Sequence, residues 1–391
     1  MNRKCRQVRI VRDTLGSSFR KDGEIFWCTT CVAMSTRPRI TFDAEGKCNA
    51  CQWADRKKTL DWAPRQHQLE ALLDGARKSD GGFDCVVPVS GGKDGSYVAY
   101  QLKHKYGMNP LAVTINPPLP LELGSRNLRN FIDSGFPHVA VSPDQETMRA
   151  LNRHGLMEMG FPYYGWLIAI SVAPAEIALR FDCDLVFYGE DGEVEYGGSS
   201  ETENTPFIDF SYIENVYLEA GYEKVLRSAG IAGNKLGFFR FPSQESLRTE
   251  RLKWMNWSYF EDWDPYRNYL LAKEHCGLEE STATNLGTFT NFAQNDQALY
   301  ALHVYLMYLK FGFGRANQDA SIDIRRGAMS REQAVELVHL YDGSPPEEFR
   351  ELYLDYFELS GEQFDAALDK WANTALFERV SGAWKPRFSP R

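Results

Sequence analysis

The chain has 391 residues, of which 44 are Lys or Arg and 53 are Asp or Glu, so its formal net charge is −9. A hydrophobic fraction of 43% and a charged fraction of 25% are typical of a globular protein and exclude a disordered chain. The acidic balance argues against nucleic acid as a partner, and no apolar run approaches the ~20 residues of a membrane span.

Composition divides the chain into three predicted domains. Residues 1–66 are rich in Cys, Arg and Lys, residues 67–200 alternate strand and helix patterns, and residues 201–391 are aromatic and mainly helical. The N-terminus lacks the apolar core of a signal peptide, so we expect a cytoplasmic protein. The predicted architecture is an α/β domain between a small cysteine-rich region and a helical C-terminal region that contacts substrate or partners.

Four cysteines in the first domain fall into two close pairs. Cys28 and Cys31 are separated from Cys48 and Cys51 by a spacing, C-x2-C-x16-C-x2-C, that is typical of zinc ribbons. Since four thiolates fill a tetrahedral coordination sphere, the predicted Zn²⁺ is structural. The alternatives are four buried thiols or a redox pair, although neither pair follows a strand as a redox C-x-x-C does.

Four short apolar runs in the middle domain predict strands, and helical patterns separate them. This alternation predicts a doubly wound parallel sheet, in which ligands bind beyond the carboxyl ends of the strands. We therefore expect the functional residues in the loops after residues 89, 115 and 188. The predicted strands are Phe83–Val89, Leu111–Ile115, His138–Val141 and Leu185–Tyr188, and the predicted helices are Ser96–Tyr106, Gly124–Ser134 and Tyr163–Phe181.

A glycine-rich loop, SGGKDGS at 90–96, follows the first predicted strand and opens a helix. Its glycines allow backbone N–H groups to approach an anion, and the helix N-terminus adds partial positive charge. The hydroxyls of Ser90 and Ser96 can donate to phosphate oxygens, and an inward-pointing Lys93 can neutralise phosphate charge. Asp94 would repel bare phosphate, so its presence implies a bridging Mg²⁺. The alternative is an ordinary strand-to-helix turn.

This loop resembles the SGG-x-DS pyrophosphate loop of the PP-loop (N-type) ATP pyrophosphatases, which share a HUP-like fold. Those enzymes cleave ATP to AMP and pyrophosphate and adenylate a carbonyl or amide oxygen. Gly95 stands where that family has Ser, and Ser96 follows one place later. The residues that match the family pattern are Ser90, Gly91, Gly92 and Asp94.

A second segment, FYGEDGEVEYGG at 187–198, resembles the strand and acidic loop opposite the pyrophosphate loop in asparagine synthetases. The resemblance implies that Glu190, with Glu193 and Glu195, holds the second side of Mg²⁺–pyrophosphate. The alternative for any single carboxylate is a solvated acidic loop. The resemblance implies a cofactor-binding set of Ser90, Gly91, Gly92, Asp94, Ser96, Gly189, Glu190 and Glu193, and a catalytic set of Lys93, Asp94 and Glu190.

Over most of its length the chain resembles the N-acetyl sugar amidotransferases of lipopolysaccharide (LPS), O-antigen and related surface-glycan biosynthesis. The resemblance implies an enzyme that converts an acetamido group of a sugar into an acetamidino group through an O-adenylated intermediate, with ATP, Mg²⁺ and Zn²⁺ as cofactors. The matching segments are WCTTCVAMSTRPRITFDAEGKCNAC (27–51), the loop at 90–96, GSRNL (124–128), the segment at 187–198, and KFGFGR (310–315) running on to DIRR (323–326).

The nitrogen source and the sugar site complete the prediction. Residue 2 is Asn and no Cys lies in a G-x-C-x-G context, so we expect ammonia from a separate glutaminase. The resemblance implies a glutaminase and cyclase pair, like those of imidazole glycerol phosphate synthase, as partners. The sugar would be nucleotide- or lipid-linked, and arginines suit its phosphate or carboxylate. The candidate sugar-binding residues, which could instead form a surface ion-pair network, are Arg315, Asp319, Asp323, Arg325 and Arg326.

Two other functions fit parts of the pattern. A tRNA thiolation enzyme also combines cysteine motifs with a PP-loop, but it usually needs a catalytic cysteine pair or a cluster-binding triad. Cys85 and Cys183 each stand alone in an apolar strand-like context, which is typical of buried structural thiols. An ATP-binding regulator without catalysis is the third function, and Asp94 and Glu190 argue against it.

Overall fold

The structure of the protein is a computed structural model that describes residues 25–208, 210–218, 222–228, 231–241 and 251–389. The first 24 residues of the predicted cysteine-rich domain therefore lie outside the described residues. None of the helices in the described part of the chain combines the length and hydropathy that crossing a bilayer requires.

A sheet of parallel strands forms the centre of the described structure. Its strands are β1 (Cys85–Pro88), β2 (Pro110–Ile115), β3 (His138–Val141), β4 (Leu185–Tyr188) and β5 (Lys253–Asn256). They lie in the order β3-β2-β1-β4-β5, and every neighbouring pair is parallel. The order changes direction between β1 and β4, which is where α/β sheets open a crevice for ligands.

Helices precede, connect and follow these strands. They are α1 (Asn49–Lys57), α2 (Ala63–Ala76), α3 (Lys93–Tyr100), α4 (Glu122–Asp133), α5 (Gln145–His154), α6 (Tyr164–Arg180), α7 (Gly192–Tyr196), α8 (Phe210–Tyr212), α9 (Tyr222–Ser228) and α10 (Pro265–Cys276). Single π-helical turns extend three of them, at Gln101–Lys105, Gly155–Met159 and Ile213–Tyr217. Short 3₁₀ turns lie at Gly233–Lys235 and Trp257–Tyr259.

Two hydrophobic cores cover the two faces of the sheet, because successive residues of a strand point to opposite faces. In β1, Val86 packs into the core that contains Ile168 and Val172 of α6. Val87 packs into the core that contains Val98 of α3 and Phe131 of α4. This burial on both faces explains why the strands are short, continuous apolar runs.

The C-terminal region adds a helical layer and a hairpin. Its elements are α11 (Leu299–Phe311), α12 (Arg315–Arg325), α13 (Arg331–Tyr341), a 3₁₀ turn (Glu347–Phe349), α14 (Arg350–Phe357), α15 (Gly361–Trp371) and the antiparallel pair β6 (Phe377–Val380) and β7 (Ala383–Pro386). Leu302 and Leu306 of α11 share a core with Phe357 and with Leu156, which follows α5. The helical layer is thus packed against the α/β layer.

The structure confirms the predicted fold class, an α/β parallel sheet with a four-cysteine region before it and helices after it. It differs from the prediction at β5, whose sequence KWMN lies beyond residue 200 yet pairs with β4. The boundary predicted at residue 200 therefore falls within the span of the sheet, and the domain limits stay a prediction. α3 also begins at Lys93, three residues earlier than predicted, and α5 was missed.

Candidate functional site

The four paired cysteines come together at one point. Their sulfurs all lie within 4.8 Å of one another, and each cysteine is at most 1% exposed. Sulfurs placed tetrahedrally around one ion at ~2.3 Å are about 3.8 Å apart. The measured separations are 3.8 Å between Cys28 and Cys51 and 3.7 Å between Cys31 and Cys48. The cluster therefore fits a single tetrahedral metal ion.

Backbone N–H groups and arginines surround these thiolates. The N–H groups of Cys31 and Cys48 point to the sulfur of Cys28, at 3.4 and 3.2 Å. The guanidinium of Arg325 lies 3.9 Å from the sulfur of Cys31, and that of Arg331 donates to the carbonyl oxygens of Cys28 and Cys31. A metal bound by four thiolates carries net negative charge, which these donors and cations compensate.

The glycine loop after β1 forms the floor of a cavity of about 220 Å³, here called the loop cavity. Gly91 has φ = +79°, and a Cβ there would lie 2.4 Å from the backbone nitrogen of Leu128 in α4. Glycine is therefore required both for the turn and for the close approach to α4. The lining residues are Ser90, Gly91, Gly92, Lys93, Asp94, Gly95, Gly124, Asn127, Glu190, Phe292, Ala293, Gln294, Asn295, Asp296, Tyr300 and Arg315.

Two carboxylates reach the loop cavity from neighbouring strands at the point where the sheet order reverses. Asp94 is in the first turn of α3, and Glu190 follows β4. A Cβ on Gly189 would lie 3.2 Å from the Cβ of Asp94, so the two segments pack closely. Burial, and then the charge of Asp94, raises the pKa of Glu190. This arrangement favours a divalent cation, which would offset the repulsion between the two carboxylates.

Side chains that sequence reasoning missed orient both carboxylates. The phenol of Tyr196 donates to Glu190 over 2.7 Å, and the buried amide of Asn268 in α10 donates to Asp94 over 3.2 Å. Tyr196 lies in the EYGG segment of the resemblance, so its signal was present in the sequence. Asn268 carried no signal, because it reaches the site only through the packing of α10 on α3.

Cations complete the loop cavity. Lys93 is buried with its ammonium group against the carboxylate of Asp94. Arg315, at the start of α12, lines the opposite wall and is fixed by Asp319, which accepts its Nε–H over 2.7 Å. Asp319 also accepts from the hydroxyl of Thr288 at 2.7 Å. Arg315, predicted as a sugar contact, therefore belongs to the cavity of the glycine loop, and Asp319 positions it.

The C-terminal region supplies this wall by docking on α4. A Cβ on Gly124 would lie 2.3 Å from the Cα of Asp296, and the N–H of Leu121 donates to the carbonyl oxygen of Asp296 at 3.0 Å. Burial raises the pKa of the Asp296 carboxyl to about 7. The segment around Asp296 was not predicted, since nothing local in its sequence marks a site.

Ser96 does not reach the loop cavity. Its hydroxyl is fully buried and has no hydrogen-bond partner among the described residues. The preceding Gly95 lines the cavity instead. The structure thus places Ser96 inside the protein, because the helix turns by about 100° per residue and carries Ser96 away from the loop.

Glu193 and Glu195 also lie away from the predicted pyrophosphate position. Glu193 accepts the Nε–H of Arg39 at 2.9 Å and the N–H of Ser199 at 2.6 Å. Glu195 accepts from Trp53 at 2.8 Å and from Lys57 at 2.9 Å. Both carboxylates are buried and face the cysteine-rich segment, since α7 turns them towards α1. They join the metal site to the loop that bears Glu190.

The remaining predicted sugar contacts are also elsewhere. Arg325 lies beside Cys31 and donates to the carbonyl oxygen of Glu195 at 3.1 Å. Arg326 pairs with Asp323 and Asp264 at 3.3 and 3.4 Å. The described contacts of these residues therefore form a structural network between α12, the metal site and α10.

A larger cavity of about 550 Å³, here called the apolar cavity, opens beside the loop cavity over the ends of β1 and β2. Val113, Ile115, Leu128 and Ile170 supply its apolar walls. Ser90, Gly124 and Asp296 line both cavities, so the two are contiguous.

The cysteines outside the metal site are poor nucleophile candidates. Burial raises the pKa of Cys85, and raises the pKa of Cys183 and of Cys276 to about 11. A thiol in that state is scarcely ionised at neutral pH, so these cysteines are structural, as predicted for Cys85 and Cys183.

Comparison with known proteins gives one domain match and two looser similarities. A stretch of 90 residues is 29% identical to an uncharacterized protein of Methanocaldococcus jannaschii, and it spans 23% of this chain and 32% of that protein. The structure is similar to that of the U34-tRNA thiolase NcsA from Methanococcus maripaludis with its 4Fe–4S cluster, with 13% identity, a TM-score of 0.32, and coverage of 68% of this chain and 78% of that one. At that TM-score no residue roles can be carried over.

The domain match falls on the C-terminal region. Residues 286–388 match the model of the C-terminal domain of WbpG-like LPS biosynthesis proteins. The matched region includes the wall of the loop cavity from Phe292 to Arg315. This match supports the resemblance to the sugar amidotransferases, and the chain thus carries the C-terminal domain of WbpG-like LPS biosynthesis proteins.

Proposed function

We propose that the protein is an ATP-dependent amidotransferase that converts the acetamido group of a sugar into an acetamidino group during LPS or O-antigen biosynthesis. One observation carries the proposal: a WbpG-like domain supplies Arg315 to a cavity that also holds a PP-loop and two facing carboxylates. A reaction that consumes ATP belongs in the cytoplasm, and the proposed sugar is nucleotide- or lipid-linked.

The loop cavity suits the phosphates of ATP. Backbone N–H groups of the loop and the N-terminus of α3 favour anions, while Lys93 and Arg315 neutralise charge on either side. Asp94 and Glu190 would hold Mg²⁺, which supplies charge neutralisation for the pyrophosphate leaving group. The contiguous apolar cavity suits the adenosine, since nucleoside pockets are mainly apolar.

The chemistry requires two transfers at the acetamido carbon. The amide oxygen attacks the α-phosphorus of ATP, the bond to the bridging oxygen breaks, and pyrophosphate leaves. Ammonia then adds to the imidate carbon, the carbon–oxygen bond breaks, and AMP leaves with the oxygen to give the amidine. The cations of the loop cavity stabilise the charge on the departing groups, and the enclosed site limits hydrolysis of the intermediate.

We propose Zn²⁺ as the ion of the four-cysteine site. The sulfur separations of 3.7 and 3.8 Å suit one tetrahedral ion, and all four ligand positions are protein thiolates. The proposed role is structural, because no position remains for water or substrate. Ammonia would come from a partner glutaminase and cyclase-like pair.

The experiment is a pyrophosphate-release assay with ATP, Mg²⁺ and ammonium, in three arms: a panel of mono- and diacetamido sugars, unmodified tRNA, and no acceptor. We expect release only with a sugar, and mass spectrometry of that product should show one oxygen replaced by an NH group. Asp94→Asn and Glu190→Gln should each lower the rate by ~10²–10³-fold. If both carboxylates act through one ion, the double variant should lose less than the sum of the two effects.

Release with tRNA alone would overturn the proposal in favour of thiolation. Bound ATP that is never cleaved, with both variants indistinguishable from the wild type, would instead identify a regulator.

A further inference from the structure

A third cavity, of about 200 Å³, lies over the ends of β4 and β5. We call it the tyrosine cavity, since Tyr188, Tyr212 and Tyr217 line it together with Ile170, Ser171 and Asn256. β4 and β5 end in register, with Tyr188 opposite Asn256, so the cavity opens at the same edge of the sheet as the glycine loop. The functions assigned above to the other two cavities leave this one without a role.

The tyrosine cavity adjoins both other cavities. Glu190 lines it and the loop cavity, while Ile170 and Tyr188 line it and the apolar cavity. A ligand here would therefore touch the carboxylate proposed to hold Mg²⁺ and would lie beside the proposed nucleoside. This is the position from which an acceptor can approach the α-phosphate.

The charge of the cavity selects against anions. Glu190 and Asp191 line it, and among the described residues that line it there is no Lys or Arg. Asp191 accepts the N–H groups of Glu193 and Val194, at 3.0 and 3.4 Å, and is also bonded to Thr202. A phosphate or a carboxylate would be repelled, whereas a neutral amide could be accommodated.

The shape and lining suit an N-acetyl group on a sugar ring. Tyr212 and Tyr217 form an edge-to-face pair with centroids 5.9 Å apart, and Tyr217 is 38% exposed at the rim. Aromatic faces pack against the C–H face of a sugar, and the apolar interior accepts a methyl group. Its volume is smaller than the ~300–1,000 Å³ of sites that enclose a whole drug-sized ligand, so it would hold only part of a linked sugar.

We propose that the tyrosine cavity binds the acetamido end of the acceptor sugar, with the sugar ring at Tyr217 and the anionic carrier outside. The inference rests on the proposed function and deepens it. It also moves the sugar site from α12, where the sequence predicted it, to the space between α6, β4, β5 and the segment 208–217.

The test fills one cavity at a time with the same substitution. Ser171 in α6 lines only the tyrosine cavity of the three, and Ser125 in α4 lines only the apolar cavity. Each hydroxyl donates to the carbonyl oxygen four residues earlier, at 2.9 and 3.1 Å, so the two positions are matched. Ser171→Leu should raise the KM for the acetamido sugar by about 10–100-fold and leave ATP-analogue binding unchanged. Ser125→Leu should weaken the ATP analogue and spare the sugar.

Two further variants guard against a folding defect. Ser171→Ala should behave like the wild type, and Tyr217→Leu should raise the sugar KM without affecting the ATP analogue. Saturation-transfer NMR with free N-acetylglucosamine should report the acetyl methyl as the most buried group, and Ser171→Leu should remove that signal.

The outcomes separate the inference from the proposed function. If acetamido sugars support pyrophosphate release but Ser171→Leu and Tyr217→Leu leave the sugar KM unchanged, the cavity assignment is wrong and the function stands. If no acetamido sugar supports release, the proposed function fails, and this assignment fails with it.

Discussion

Gly95 is the residue at which the loop departs from the PP-loop pattern, and its surroundings leave no room for a side chain. A Cβ there would lie 2.6 Å from the carbonyl oxygen of Pro88 and 3.1 Å from Cγ1 of Val89. α3 therefore packs directly on β1, and a serine would push the helix away from the strand. The missing hydroxyl is a consequence of this packing, and Ser96 cannot replace it because its side chain is buried elsewhere.

We expect Gly95→Ser, which restores the family pattern, to impair the protein. The overpacked helix start should lower the free energy of unfolding by ~1–3 kcal/mol, measured by urea denaturation. ATP-analogue affinity should fall, measured by calorimetry, because the loop N–H groups move with α3. Gly75→Ser is the control, since no atom lies within 4 Å of a Cβ at that position. Tighter nucleotide binding by Gly95→Ser would show that the hydroxyl matters more than the packing.

At the scale of elements, α1 connects the metal site to the active loop. Cys48 precedes this helix and Cys51 lies within it, while Asn49 donates to the carbonyl oxygen of Gly198 at 2.7 Å. Trp53 and Lys57 of the same helix bind Glu195 in α7. Tyr196, the next residue, holds Glu190. The metal therefore stabilises the helix that positions a proposed Mg²⁺ ligand.

Removal of the metal should disorder this connection before it affects the sheet. Elemental analysis should find about one zinc per chain, and Cys48→Ser should lose it. Hydrogen exchange should then accelerate at residues 190–198 while β1 and β2 stay protected, and Mg²⁺ binding should weaken. Lys57→Met should reproduce the loosening by leaving buried Glu195 unpaired. Lys58→Met, at an exposed pair with Asp55, should not. Iron with visible absorbance in place of zinc would favour the thiolation alternative.

The start of α12 makes stability depend on pH. Its N-cap, Gly314, has no side chain, and Asp342 instead accepts the N–H groups of Gly314 and Asn317, at 2.8 and 3.3 Å. Burial raises the pKa of Asp342 to about 7. The folded state thus holds a proton that the unfolded state has lost above its ordinary pKa of ~3.9.

Stability should therefore fall as the pH rises from ~4 to ~7, through the window between these two pKa values. Asp342→Asn removes the ionisation, so its stability should fall less across the same window. Urea denaturation at the two ends of the window measures the difference between wild type and variant. Parallel pH profiles would show that the carboxyl of Asp342 does not carry the effect. Asp296, also with a pKa of about 7, contributes a slope of the same sign in both proteins.

For the whole molecule, the parts that could be predicted from the sequence are local. β3 and β4 coincide with short apolar runs, and SGGKDGS declares its chemistry within seven residues. β5 could not be predicted, since KWMN has polar ends and pairs with a strand more than 60 residues away. The wall that carries Asp296 exists only because Gly124 allows it to approach α4. Glu193 and Glu190 lie in one acidic run, and only the turn of α7 separates their roles.

The whole chain should depend on a partner for nitrogen. A glutaminase needs an ionisable nucleophile, usually a Cys, and every cysteine in the described residues is either in the metal cluster or buried with a raised pKa. The isolated protein should therefore release AMP and form amidine with ammonium salts but not with glutamine. Added glutaminase and cyclase-like subunits should restore the use of glutamine. Cys5 lies outside the described residues, so Cys5→Ser is the matched control and should change neither rate. Glutamine-dependent turnover by the isolated wild type that disappears in Cys5→Ser would place a glutaminase nucleophile in this chain.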